Sequence, residues 1–259
     1  MRIAAGTIGY LGYGDPGKNR MLLDLYCRIL DCCLDCCSAR GADLVCLPAG
    51  FFCARNEPEK DKLASALVAE ARRHNIAIAV GVDTLDKRLT PEEIPSRIRS
   101  YSLPWFAICW TPKQPDVIEC WRQRSSTSGD AHEAPVHALS EVRSLPVQDG
   151  QVEILTCGEI FNQPIRANII QRKKNLDAVI ILGHESRGFR VWNGMKILSK
   201  QGLITLCSVH TKRKGIMKFR YGTDGICQST RDADIILNAD PPTKLPRAEP
   251  RVELKIWDV

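Results

Sequence analysis

Blocks of apolar residues alternate with amphipathic segments in the first third of the chain. The apolar block "RIAAGTIGY" precedes "NRMLLDLYCRILDCCLDCCSARG", where apolar side chains recur at helical spacing. This spacing predicts a strand followed by an amphipathic helix. A second such unit follows: a strand "ADLVCLP", expected to stop at Pro48, a helix "PEKDKLASALVAEARRHN" and a strand "IAIAVGVD". The order predicted for this part is therefore βαβαβ.

The second half of the chain repeats this order after a predicted hairpin. "YSLPWFAICW" and "DVIECWRQ" are the hairpin strands, and strands and helices then alternate through "VEILTC", "QPIRANIIQRKKN", "LDAVIILG", "RVWNGMKILSKQG" and "LITLCSV". The tail is predicted to form strands and turns. Strands that are apolar on both faces are covered by helices in layered α/β folds. Because no linker-like tract interrupts the pattern, we predict one domain over residues 1–259.

Composition and charge favour a globular protein over a membrane-spanning or nucleic-acid-binding one. Hydrophobic residues make up 44% and charged residues 25% of the 259 positions, which is ordinary for a soluble globular protein. No apolar run is long enough for a membrane span, and the first residues are interpreted as a strand, not a signal peptide, so a cytoplasmic location is expected. The net charge of +6 is dispersed, and no nucleic-acid recognition motif accompanies it.

The chain contains twelve cysteines, which favour reduced thiols over a disulfide scaffold in a chain of this length. Four of them form "DCCLDCC" within the first predicted helix. Their helical spacing predicts core packing, whereas a zinc site usually places its cysteines in a turn and needs a second pair. We therefore predict no metal and no cofactor.

The segment "VEILTCGEIFNQP" places Cys157 at the end of an apolar strand. Gly158 permits a tight turn there, and a helix follows Pro164. Ligands bind beyond the carboxyl ends of strands in α/β sheets, and a thiol on such a turn can act as a nucleophile in acyl transfer. The alternative is a buried cysteine at a strand end.

Several motifs together resemble those of the nitrilase superfamily of carbon–nitrogen hydrolases. They are "GADLVCLPAGFF", "VIECWRQRSS", "VEILTCGEIFNQP", "DAVIILGHESRG", "MKILSKQGLITLCSV" and "RYGTDGICQ", in the family's order over nearly the whole chain. The resemblance implies a four-layer α-β-β-α sandwich. It also implies a homodimer or larger homo-oligomer.

The family's chemistry uses a glutamate base, a lysine and a cysteine nucleophile. Only the cysteine is matched, by Cys157. Ala49 stands at the glutamate position and Gln123 at the lysine position. An engineered change could account for Ala49, but Gln123 would require a second one, which favours natural substitutions. Without those two groups, the Cys157 thiol is expected to keep a pKa of about 8.5 and to be a poor nucleophile.

Three functions remain open from the sequence. The first is a nitrilase-fold protein, impaired or inactive as a hydrolase, that acts by binding a small amide, nitrile or carboxylate ligand or by assembly. The second is an active thiol amidohydrolase that cleaves a small amide or nitrile through Cys157. The third is a purely structural partner of another protein. Glu159, His184 and Arg124 are predicted to lie near the ligand.

Overall fold

The structure is a computed structural model that describes residues 1–9, 20–84, 105–125, 139–184, 189–211, 218–230, 232–238 and 251–259. The described residues form these strands: β1 (Arg2–Gly9), β2 (Leu44–Ala54), β3 (Ala77–Thr84), β4 (Trp105–Trp110), β5 (Glu119–Arg122), β6 (Ser144–Val147), β7 (Gly150–Thr156), β8 (Ala178–Gly183), β9 (Ile204–Thr211), β10 (Lys218–Tyr221), β11 (Cys227–Thr230), β12 (Ile235–Asn238) and β13 (Arg251–Asp258). The α-helices in the same residues are α1 (Arg20–Ala39), α2 (Glu57–His74), α3 (Gln163–Gln171) and α4 (Phe189–Ser199). Among these helices, none is long and apolar enough to cross a membrane.

The strands form a curled sheet that contains two groups of parallel strands. Its main path runs β5-β4-β3-β2-β1-β9-β8-β7-β6. The strands β1, β2 and β3 are parallel, as are β7, β8 and β9, and the parallel pair β1–β9 joins the two halves. The strand β13 lies antiparallel to β1. The curl places β2 in contact with β8 and β9, so the two halves face each other.

Three hydrophobic clusters show how the layers pack. The cluster between the sheet halves contains residues from both, among them Ala49, Trp121, Ile154 and Leu182. Helices α1 and α2 pack on the outer face of one half, and α3 and α4 on the outer face of the other. Each half is therefore apolar on both faces, as the sequence predicts. The four-layer α-β-β-α arrangement is confirmed.

The prediction that the second strand stops at Pro48 is wrong. The strand β2 continues to Ala54, and its pairing with β3 shifts register between Leu47 and Phe52. A register shift of this kind leaves residues outside the regular ladder, which suits proline because it has no N–H to donate. The continuation brings Gly50, with φ of 69°, to the carboxyl edge of the sheet.

The cysteines of α1 divide between core and surface. Cys33 and Cys37 are fully buried in the cluster beneath α1, whereas Cys32 is exposed. The predicted packing role therefore holds for the two buried thiols.

Candidate functional site

Cys157 occupies the turn that follows β7. The strand ends at Thr156, and Cys157 opens a 3₁₀ helix that runs to Phe161. Its φ is 30°, in a region that residues with a Cβ atom seldom adopt. Strained backbone of this kind persists where surrounding structure enforces it and is concentrated at functional sites. Cys157 as a whole residue is partly exposed.

His184 is the partner of this thiol. Strands β7 and β8 are parallel neighbours, with Thr156 beside Leu182, and His184 directly follows the end of β8. The sulfur of Cys157 is hydrogen-bonded by both the imidazole ring and the backbone N–H of His184. Two adjacent strand ends therefore bring a thiol and an imidazole together.

Asp83 completes a chain of three side chains, and sequence reasoning did not identify it. His184 Nε2 lies 2.9 Å from Asp83 Oδ1 and 3.0 Å from Oδ2. Asp83 is near the end of β3, in the other half of the sheet, and is 5% exposed. The one available signal was a carboxylate at the end of the otherwise apolar strand "IAIAVGVD".

The charges of the three groups stabilise one another. Burial disfavours the charged imidazole, but the charge and hydrogen bond of Asp83 outweigh burial and raise the pKa of His184 to about 10. Burial likewise disfavours the thiolate, but the hydrogen bond and charge of His184 lower the pKa of Cys157 below its ordinary value. The expectation that no group lowers the pKa of this thiol is not met, because His184 supplies a hydrogen bond and a charge that positions 49 and 123 do not.

Gly50 and Trp105 hold the imidazole from two sides. A Cβ atom on Gly50 would lie 2.9 Å from Asp83 Oδ2 and 3.2 Å from His184 Cδ2, so only glycine leaves room for this pair. The Trp105 ring meets the His184 ring edge to face, with centroids 5.3 Å apart. These contacts restrict the imidazole to the orientation that reaches both Asp83 and Cys157.

Glu159 and Arg124 form a buried ion pair beneath the turn. Arg124 Nε is 2.9 Å from Glu159 Oε1, Arg143 Nη1 is 3.1 Å from the same oxygen, and both arginines and the glutamate are at most 2% exposed. Glu159 also accepts the N–H groups of Arg124 and Thr156, at 2.7 and 3.0 Å. Burial raises the pKa of Glu159, but the two guanidinium charges prevail and hold it below its usual range. The carboxylate therefore anchors the turn, while Arg124 Nη2 lacks a hydrogen-bond partner within the described chain.

Ala49 and Gln123 are both buried, each 1% exposed. Ala49 packs in the cluster between the sheet halves. Gln123 follows β5, and its backbone N–H donates to the Trp105 carbonyl oxygen at 2.8 Å. Its side-chain Nε2 donates to the Ser125 carbonyl oxygen at 2.6 Å, whereas Oε1 has no partner among the residues that the structure describes.

Comparison with solved structures identifies the type of fold, whereas the sequence comparisons find no match. No protein-family model and no curated protein sequence matches this chain. Solved structures of an amidase from Nesterenkonia sp. AN1 do match. A mutant with acrylamide added to the active-site cysteine has a TM-score of 0.61 and 15% identity, covering 100% of this chain and 93% of that one.

Two further structures of that amidase agree. A mutant described as belonging to the nitrilase superfamily has a TM-score of 0.60 and 14% identity, covering 98% of this chain and 90% of that one. A mutant in complex with butyramide has a TM-score of 0.57 and 16% identity, with the same coverage of 98% and 90%. The likeness shows that this chain has the nitrilase-type fold, as its motifs predicted.

Proposed function

We propose that this protein is a thiol-dependent hydrolase of small amides, in which Cys157 is the nucleophile and His184 with Asp83 replaces the glutamate and lysine of related sites. The observation that carries the proposal is the continuous hydrogen-bonded chain from Cys157 through His184 to Asp83. A thiol paired with an imidazole, which is in turn oriented by a third group, is a recognised way to activate a nucleophile.

The proposed reaction starts from a Cys157 thiolate and a protonated His184. The Cys157 thiolate attacks the carbonyl carbon of the amide, and a C–S bond forms as the carbonyl π electrons move to oxygen. The C–N bond then breaks, and His184 supplies the proton that the departing amine needs. Water attacks the resulting thioester while His184 accepts a proton, so the acid is released and the thiolate restored. The net change is amide plus water to acid plus amine.

Asp83 is a positioning residue in this scheme. Its carboxylate keeps His184 protonated before attack, because the imidazole's pKa of about 10 is above neutral pH. Once Cys157 is acylated, the thiolate no longer contributes to that raised pKa, so more of His184 is neutral and available to accept a proton in the second half of the reaction.

A binding protein without turnover is the second candidate, favoured by Ala49 and Gln123. Under this interpretation, Ala49 occupies the position of the family's glutamate base and Gln123 the position of its lysine. Losing a base typically costs about 10²–10⁴-fold in rate, and losing one oxyanion donor about 10²–10³-fold. The amidase neighbours, one with acrylamide at its cysteine and another with butyramide bound, support a small amide as the ligand in either case.

Ammonia release from acetamide, propionamide and butyramide separates the two candidates. The proposal requires release by wild-type protein, its loss in Cys157→Ala, and a trapped acyl adduct on Cys157 detected by mass spectrometry. His184→Ala is expected to lose nearly all of the rate and Asp83→Asn part of it. Amide-dependent stabilisation against heat without ammonia release would instead establish the binding protein.

We also propose a homodimer or larger homo-oligomer, as the motif resemblance implies. Light scattering at micromolar protein measures the mass directly, and a monomer would contradict the proposal.

A further inference from the structure

Gln123 has an acceptor, Oε1, that receives no donor from the described residues, and its chain neighbours and backbone partner contact the site. On one side, its backbone is bonded to Trp105, whose ring contacts His184. On the other side, the N–H of Arg124 is bonded to Glu159, which also binds the N–H of Thr156, next to Cys157. Gln123 therefore lies between one neighbour that touches the imidazole and another that is tied to the nucleophile's turn.

The side-chain direction supports the same placement. Alternate residues of a strand face opposite sides of the sheet. Arg122 reaches the outer side, where it meets Glu57 and lies 4.5 Å from the centroid of the Phe106 ring. Trp121 is on the inner side, in the cluster with Ala49. Gln123 is one residue beyond the end of β5, and continued alternation would put its side chain on the inner side with Trp121.

Of the two polar groups of the buried Gln123 amide, only Nε2 has a partner among the residues that the structure describes. Nε2 is used by the Ser125 carbonyl oxygen, which fixes the orientation of the amide. Oε1 is left without a donor within the described chain, although the residue is 1% exposed. Buried polar atoms in native proteins nearly always have a partner, and a ligand bound at this site can supply a donor to Oε1.

We infer that Gln123 is a specificity-determining residue, whose Oε1 accepts an N–H of a substrate carboxamide. The inference rests on the proposed function and selects among the three ligand classes left open by the sequence. A carboxamide offers N–H donors to Oε1. A nitrile offers none, and a carboxylate would bring negative charge against a buried oxygen acceptor. The same contact would orient the amide nitrogen before it leaves.

Three vinyl compounds test this directly through Cys157 labelling. Acrylamide, acrylonitrile and acrylate share the reactive double bond. They differ in the group that Gln123 would contact, which is a carboxamide, a nitrile or a carboxylate. Rates at Cys157 are measured by peptide mass spectrometry and divided by the rates of each compound with glutathione, which removes intrinsic reactivity. Wild-type protein is expected to prefer acrylamide to acrylonitrile by about tenfold, the value of one buried hydrogen bond.

Variants assign that preference to Gln123. Gln123→Leu is expected to lose it, Gln123→Glu to retain acrylamide over acrylonitrile because an acceptor remains, and the surface control Gln114→Leu to behave as wild type. If Gln123→Leu does not fold by circular dichroism, Gln123→Met supplies the same test with an unbranched side chain.

The labelling and hydrolysis measurements test two proposals separately: the role of Gln123 and the hydrolase activity. Equal normalised rates in wild-type protein, or a preference that survives Gln123→Leu, would overturn the role of Gln123. A Gln123-dependent preference without any amide hydrolysis would leave that role standing and reject the hydrolase. Amide hydrolysis without a Gln123-dependent preference would support the hydrolase and overturn the role of Gln123.

Discussion

Replacing Asp83 with asparagine should slow alkylation of Cys157 without removing the thiol or the imidazole. The neutral amide cannot support the imidazolium, so the pKa of His184 falls from about 10 toward, and with burial below, its ordinary value of about 6.5. Cys157 then loses the positive charge that lowers its own pKa. Asp83→Asn is close in size, so packing at this buried position changes little.

The size of the effect can be bounded from the ionised fraction. An ordinary thiol is only a few per cent thiolate at pH 7, so full ionisation gains at most about 30-fold in reactive species. A thiolate of lower pKa is intrinsically less nucleophilic, which removes part of that gain. We therefore expect Asp83→Asn to alkylate roughly tenfold more slowly at pH 7. The difference should narrow at high pH, where both thiols ionise.

Iodoacetamide labelling from pH 5 to 10, read at the Cys157 peptide, measures this profile. Wild-type protein should reach its plateau at lower pH than the variant. Asp31→Asn is a matched control, because Asp31 makes a comparable 3.0 Å contact with His74 between α1 and α2, away from Cys157. Superimposable profiles for wild type and Asp83→Asn, or a wild-type midpoint at or above about 8.5, would refute the activation by His184.

Three further substitutions test the site's construction. Gly50→Ala should abolish fast Cys157 labelling by displacing Asp83 and His184, whereas Gly202→Ala, also at positive φ but with no atom within 4 Å, should not. Thermal unfolding should show Cys157→Gly more stable than Cys157→Ala by about 1 kcal/mol, because glycine adopts positive φ without strain; equal stabilities would exclude strain at this turn. Glu159→Gln should lower the free energy of unfolding in urea by about 3–5 kcal/mol, and the control Glu57→Gln, in an exposed pair with Arg122, by less than about 1 kcal/mol; similar losses would contradict a buried ion pair.

The layers of the fold could be predicted because their signal is local. The period of apolar residues in α1 and α2 identifies helices, and the all-apolar strand β8 requires cover on both faces. The position of Cys157 after β7 could also be predicted, since the apolar run ends at Thr156. Pro48 misled the prediction of β2, because the sequence does not reveal the register shift that accommodates a proline inside a strand.

The pairing of Asp83 with His184 could not be predicted from local pattern. The two residues are 101 positions apart and belong to different halves of the sheet. They meet because the sheet curls until the carboxyl end of β3 faces that of β8. The sequence therefore predicted Cys157 as the nucleophile and His184 near the ligand, but gave no reason to add a carboxylate from across the sandwich.

The curl also explains why the reactive groups and the buried ion pair occur together. Asp83 and His184 join the end of β3 to the end of β8, while Arg124 and Glu159 join the end of β5 to the turn after β7. Both contacts cross between the two halves of the sheet at the same edge. In each of these two contacts the opposite charges lie on opposite halves of the sheet, so closing the sandwich pairs them. The contact between His184 and Asp83 therefore also joins the two halves of the sheet, which couples the geometry of the site to the closure of the fold.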